Sequence, residues 1–127
     1  MGSSRAGIVA AVLSGAPSTL YALASGRDPA EATLAAGSIL LPREQRIGPL
    51  LATGLCVHVS LSLGWAAVLD RLLPAPARLR SAAIAGLLIA GLDLGIIGRR
   101  FPRIRRLPVL PQLADHVAYA LVVAALT

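Results

Sequence analysis

Lysine is absent from this 127-residue sequence: all 12 basic residues are arginine. Cysteine occurs once, as Cys56, which excludes an intramolecular disulfide and any CxxC redox pair. Aromatic residues make up 3% and charged residues 14% of the chain, against about 25% charged in an ordinary soluble domain. So few charges cannot coat a soluble globule when 56% of the residues are hydrophobic. These shortages, with a mean hydropathy of +0.74, exclude disorder, a disulfide scaffold and a nucleic-acid-binding arm, and they point to lipid. A net charge of +6 would suggest nucleic acid in a soluble protein. Here the arginines fall between apolar runs, where the topology determinants of membrane proteins sit, so no nucleic acid is expected as a partner.

Four apolar segments follow in order. Residues 6–25 carry no charge and suffice to cross roughly 30 Å of hydrocarbon at about 1.5 Å per residue. Pro17, in Ser14-Gly15-Ala16-Pro17-Ser18-Thr19, removes a backbone hydrogen bond and predicts a kink, with neighbouring hydroxyls satisfying freed carbonyls. A cleavable signal peptide ending at Ala22-Leu23-Ala24 is the rival reading. It is disfavoured because the rest of the chain is itself strongly apolar. Residues 49–69, 81–98 and 111–127 give the other three spans, with Trp65 expected as an interfacial anchor. Between the first two, Asp28-Pro29-Ala30-Glu31 has the form of a helix start, with Asp28 as N-cap. It predicts a short helix over residues 29–41, too short to cross, lying at the interface or packing on the bundle. The fold class is therefore an all-α, single-domain integral membrane four-helix bundle with one short interfacial helix.

Orientation follows from the arginines. The first and third loops hold Arg27, Arg43, Arg46, Arg99, Arg100, Arg103, Arg105 and Arg106, whereas the opposite side holds Arg5, Arg71, Arg78 and Arg80. The positive-inside rule then predicts that the first and third loops face the cytoplasm.

Residues 58–68 can be laid over residues 116–126 with the His, Val, Leu and Ala-Ala positions coinciding, and residues 8–15 more weakly over residues 84–91. The simplest interpretation is a duplicated two-helix hairpin with parallel repeats, against chance agreement of two Ala/Leu-rich helices. In lipid, helices associate through small residues and interhelical hydrogen bonds. Each span carries one such stripe: Ala10-Ser14-Ser18 with Gly15, Gly54-His58-Ser62, Ala82-Gly86-Ala90-Asp93 with Gly91 and Gly95, and Gln112-His116-Ala120-Ala124.

The candidate site residues are polar groups at membrane depth: Asp93, His116, His58 and Asp115. A carboxylate within a span costs on the order of 2.5–3.5 kcal/mol on insertion scales, so Asp93 requires a partner, water or a proton. His116 is matched to it in depth, which makes an Asp93–His116 hydrogen bond the expected pairing. Asp115 is expected to act as a first-turn acid or to meet Arg99 or Arg100, and His58 to be neutral and hydrogen-bonded. The pattern reads first as register-fixing hydrogen bonds and second as a proton or ion pathway. No cofactor is expected. A haem would need His58 and His116 at equal depth, and Cys56 with His58 does not complete a metal site. No nucleophile–base pair, phosphate-cradling loop or carboxylate dyad is visible, so an enzyme is not expected.

The chain lacks the first-span glutamate of small multidrug-resistance transporters and the Thr-Thr-Phe-Ser run of fluoride channels. In Ser14–Thr19, Gly26-Arg27-Asp28-Pro29, residues 93–102 and residues 110–116 it resembles uncharacterised small four-span integral membrane proteins of high-GC, actinobacterial-type bacteria. That resemblance implies a helical bundle in a bacterial cytoplasmic membrane and brings no activity with it. The expected role is a non-enzymatic membrane module that self-associates or binds a larger membrane partner. The alternative is a small oligomeric proton- or ion-coupled transporter or channel using Asp93 and His116.

Overall fold

The computed structural model describes all of residues 1–127 and is helical throughout, with no strand. The first span, Ser3–Ala24, is two helices, α1 (Ser3–Leu13) and α2 (Ala16–Ala24). A short α3 (Glu31–Gly37) precedes the second span, α4 (Ile47–Leu72). The third span, Ala75–Arg100, joins a 3-10 turn to α5 (Arg78–Leu92), a π-turn (Asp93–Ile97) and a closing 3-10 turn. The one-turn helix α6 (Pro102–Arg105) leads to the fourth span, α7 (Val109–Leu126). All four spans are long and apolar enough to cross a membrane.

Several boundaries differ from those expected, each for a local reason. The third span's helix starts at Arg78 rather than Ser81, because Arg78 binds the ends of two neighbours. Its Nε donates to the Ala124 carbonyl at 3.2 Å and its Nη1 to the Leu73 carbonyl at 3.2 Å, and it also reaches Thr127 Oγ1. An arginine there satisfies orphaned C-terminal carbonyls of α4 and α7. The fourth span starts at Val109 rather than Pro111. Pro111 falls in its first turn, where a missing N–H costs nothing. Helix α3 is shorter than 29–41, since Asp28 caps the turn before it: Asp28 Oδ1 accepts from the Ala30 N–H at 2.8 Å, and Ala30, not Asp28, is the N-cap. In the loop beyond, the Arg46 guanidinium beside Glu44 holds that carboxyl down at about 2.

The helices pack as two antiparallel pairs, α1 with α4 and α5 with α7, and α7 also touches α1 and α2. Helices α4 and α5 hardly meet. The expected stripes are where the contacts lie. Ala10, Ala82, Ala90 and Ala120 are fully buried, and Ser14, Ser62 and Gln112 are buried polar residues. At Gly54 a Cβ would land on the Thr33 carbonyl, and at Gly37 on the Leu50 carbonyl, so α3 lies backbone to backbone against the first turns of α4. Gly15, Gly91 and Gly95 do not pack: a Cβ at any of them would meet nothing within 4 Å. Gly15 sits in the break between α1 and α2, and Gly95 in the π-turn.

The dry core occupies the half of the bundle nearest the chain termini. It comprises Ala10, Ala66, Leu69, Leu73, Ala82, Ile89, Tyr119, Ala120, Val123 and Ala124. Trp65 packs against this cluster and lines the cleft described next, rather than anchoring the end of its span. It lies two turns inside the end of α4, which runs on to Leu72.

Candidate functional site

The other half of the bundle is not closely packed. Because α4 and α5 stay apart, a cavity of about 690 Å³ opens between them. It is lined at one end by residues of α3, Ile104 and Leu107, and at its floor by Ser62, Trp65, Ile89 and Tyr119. The Tyr119 hydroxyl donates to the Ser62 carbonyl and ties α7 to α4 at that floor. A buried phenol needs such a partner.

Asp93, His116, Asp115 and His58 all line this one cleft. Asp93 opens the π-turn, a widened stretch of helix in which the Gly98 N–H reaches back to the Asp93 carbonyl. His116 Nε2 lies 3.0 Å from Asp93 Oδ2, and His116 Nδ1 lies 2.7 Å from the Gln112 carbonyl one turn earlier. A carbonyl only accepts, so Nδ1 carries a proton. A single further proton then lies between Nε2 and Oδ2. The pair is either carboxylic acid with neutral imidazole or carboxylate with imidazolium, and its net charge is zero in both forms.

Asp115 does not meet Arg99 or Arg100, nor does it sit in the first turn of its helix. Its Oδ1 accepts the backbone N–H of Ser18 at 2.9 Å. Ser18 follows the break that Pro17 makes between α1 and α2, so the carboxylate fills in for an acceptor lost with the helix ladder. Ser18 Oγ also donates to the Gly15 carbonyl at 3.3 Å, but that carbonyl already accepts the Thr19 N–H, so this is not the expected rescue of a carbonyl freed by Pro17. His58 Nε2 is 2.8 Å from the Ala11 carbonyl, one turn before that break, and must donate to it. The cleft thus lies where two spans are interrupted, and the break in the first is flanked by backbone groups bonded to Asp115 of α7 and His58 of α4.

The chain matches no protein family, no curated protein and no solved structure.

The chemistry the cleft can perform therefore follows from its own groups. No three His, Cys, Asp or Glu side chains come together as metal ligands. His58 and His116 are each committed to a backbone carbonyl. What the cleft offers is a proton exchangeable between Asp93 and His116, a second carboxylate with one oxygen bonded, and room for water or a small solute. Sequence reasoning missed the π-turn, the Ser18–Asp115 bond and the Tyr119–Ser62 tie. The π-turn had one visible signal, an acid flanked by Gly91 and Gly95 in an otherwise aliphatic helix.

Proposed function

We propose that this protein is a small proton- or ion-coupled transporter or channel unit of a bacterial cytoplasmic membrane, with Asp93 and His116 as the proton-handling pair. The observation that carries this reading is the convergence of Asp93, His116, Asp115 and His58 on one cavity instead of on sealed contacts. Ionisable groups inside a membrane mark pathways when they face a cavity. A second feature supports it. Both the first and the third spans are interrupted beside the cleft, at Ser14-Gly15 and at Asp93–Ile97. Discontinuous spanning helices that meet at one site are a common way for transporters to build a binding region. The eight arginines of the first and third loops favour a cytoplasmic side for the cleft's α3–α6 end, with the dry core at the other. The gap between α4 and α5 also leaves the bundle incomplete on one flank, which favours assembly with a second copy or a larger membrane partner.

The test is proton movement in liposomes containing the purified protein and an internal pH dye, under an imposed pH gradient with sodium or potassium outside. Wild type is expected to dissipate the gradient at least tenfold faster than Asp93→Asn, with both proteins folded. Asparagine keeps the shape and a hydrogen-bonding oxygen but cannot carry the proton. If wild type is as tight as protein-free liposomes, and Asp93→Asn merely lowers thermal stability, the pair is a packing contact and the reading fails.

A further inference from the structure

The corner between the first loop and α6 holds a second, smaller cavity of about 230 Å³, lined by Arg27, Asp28, Glu31, Leu34, Arg103, Arg106 and Leu107. Its two acids are already spent. Asp28 caps the Ala30 N–H at 2.8 Å, and Glu31 holds Arg27 Nε at 2.9 and 3.1 Å. Arg27 also donates from Nη2 to the Arg106 carbonyl at 3.2 Å, which fixes the first loop against the third. Arg103 and Arg106 have no carboxylate within salt-bridge distance, and neither have their neighbours Arg99, Arg100 and Arg105. Two free guanidinium forks over an apolar floor of Leu34 and Leu107 are therefore unmatched within the chain. Leu107 also lines the large cleft, so the corner lies next to it.

We infer that this corner binds the phosphate of an anionic membrane lipid. Guanidinium forks match phosphate oxygens in geometry as well as charge, and basic pockets between spans are recognition sites for acidic headgroups. The apolar floor beside the arginines fits a ligand with a charged head and a hydrocarbon tail better than a free anion. This inference needs only that the four helices span a membrane, and it is independent of the proton pathway.

The experiment is native mass spectrometry of the detergent-purified protein exposed to phosphatidylglycerol and phosphatidylcholine together, with inorganic phosphate in a separate arm. Wild type is expected to retain phosphatidylglycerol preferentially. The double variant Arg103→Gln/Arg106→Gln should lose that preference by about 30-fold. Arg99→Gln/Arg105→Gln removes the same charge from residues outside the pocket and should lose only a few-fold. Equal losses in the two double variants would reduce the effect to diffuse surface charge and overturn the site, as would a wild type with no preference. Displacement of the lipid by inorganic phosphate would assign the corner to the free anion and overturn the lipid as its occupant.

Discussion

Gly86→Ala should destabilise the purified protein by about 2 kcal/mol, and Gly86→Leu should prevent the native bundle from forming. A Cβ at this position would lie 2.7 Å from both the His116 carbonyl oxygen and Val117 Cα. These are backbone atoms of α7, which cannot rotate out of the way as a side chain could, so α5 would have to move off α7. Asp93 lies two turns further along the same face of the third span as Gly86 and Ala90. Any displacement of α5 therefore also pulls the carboxylate from His116. The matched control is Gly91→Ala, whose Cβ meets nothing within 4 Å and should leave stability nearly unchanged. Thermal unfolding in detergent, followed by circular dichroism, checks both. Equal melting temperatures for the two variants would mean that the α5–α7 contact is looser than described.

Asp115→Leu should cost about 1–3 kcal/mol, whereas Asp115→Asn should cost far less. The difference isolates what Asp115 does for the fold. Its Oδ1 is the acceptor for the Ser18 N–H at the start of α2, and leucine leaves that donor unpaired inside the bundle. Asparagine retains an oxygen in the same place and loses only the charge. If asparagine preserves the melting temperature, it also becomes the clean variant for asking whether the second carboxylate matters for proton movement. If leucine is tolerated as well as asparagine, the break at Pro17 does not need this bridge.

Much of the architecture was legible because membrane-spanning helices leave strong one-dimensional signals. The uncharged run from Ala6 to Ser25 and the arginines bounding each span located the four helices, and the stripe Ala82-Gly86-Ala90-Asp93 identified the buried face of the third. The depth match of Asp93 and His116 was readable from residue counting from the loop between their spans. Long-range pairing was not readable where it depends on backbone irregularity. Asp115 pairs with Ser18 only because the helix breaks at Gly15, which turns a main-chain donor toward α7, and no sequence spacing encodes that partner. Arg78 likewise reads as a loop residue until three helix ends meet around it. Gly15, Gly91 and Gly95 read as packing residues because small size is the visible property. Two of them instead lie in stretches where the regular α-helix gives way.

The central claim is that the cleft holding Asp93 and His116 is reached by water from the arginine-rich side and closed at the other end by the dry core. Cys56 is a native probe of it, since it lines the cleft about 14 Å along α4 from Ile47 and has no competing thiol in the chain. The thiolate is the nucleophile that attacks a methanethiosulfonate and displaces its sulfinate, and it forms in water and not in hydrocarbon. The decisive measurement is the rate at which a membrane-impermeant methanethiosulfonate modifies Cys56 in sealed vesicles of each orientation. Rapid modification from the side of the first and third loops, with none from the side of the termini, is the predicted result. A Cys56 unreactive from both sides, yet fully reactive once the protein is unfolded, would contradict the account.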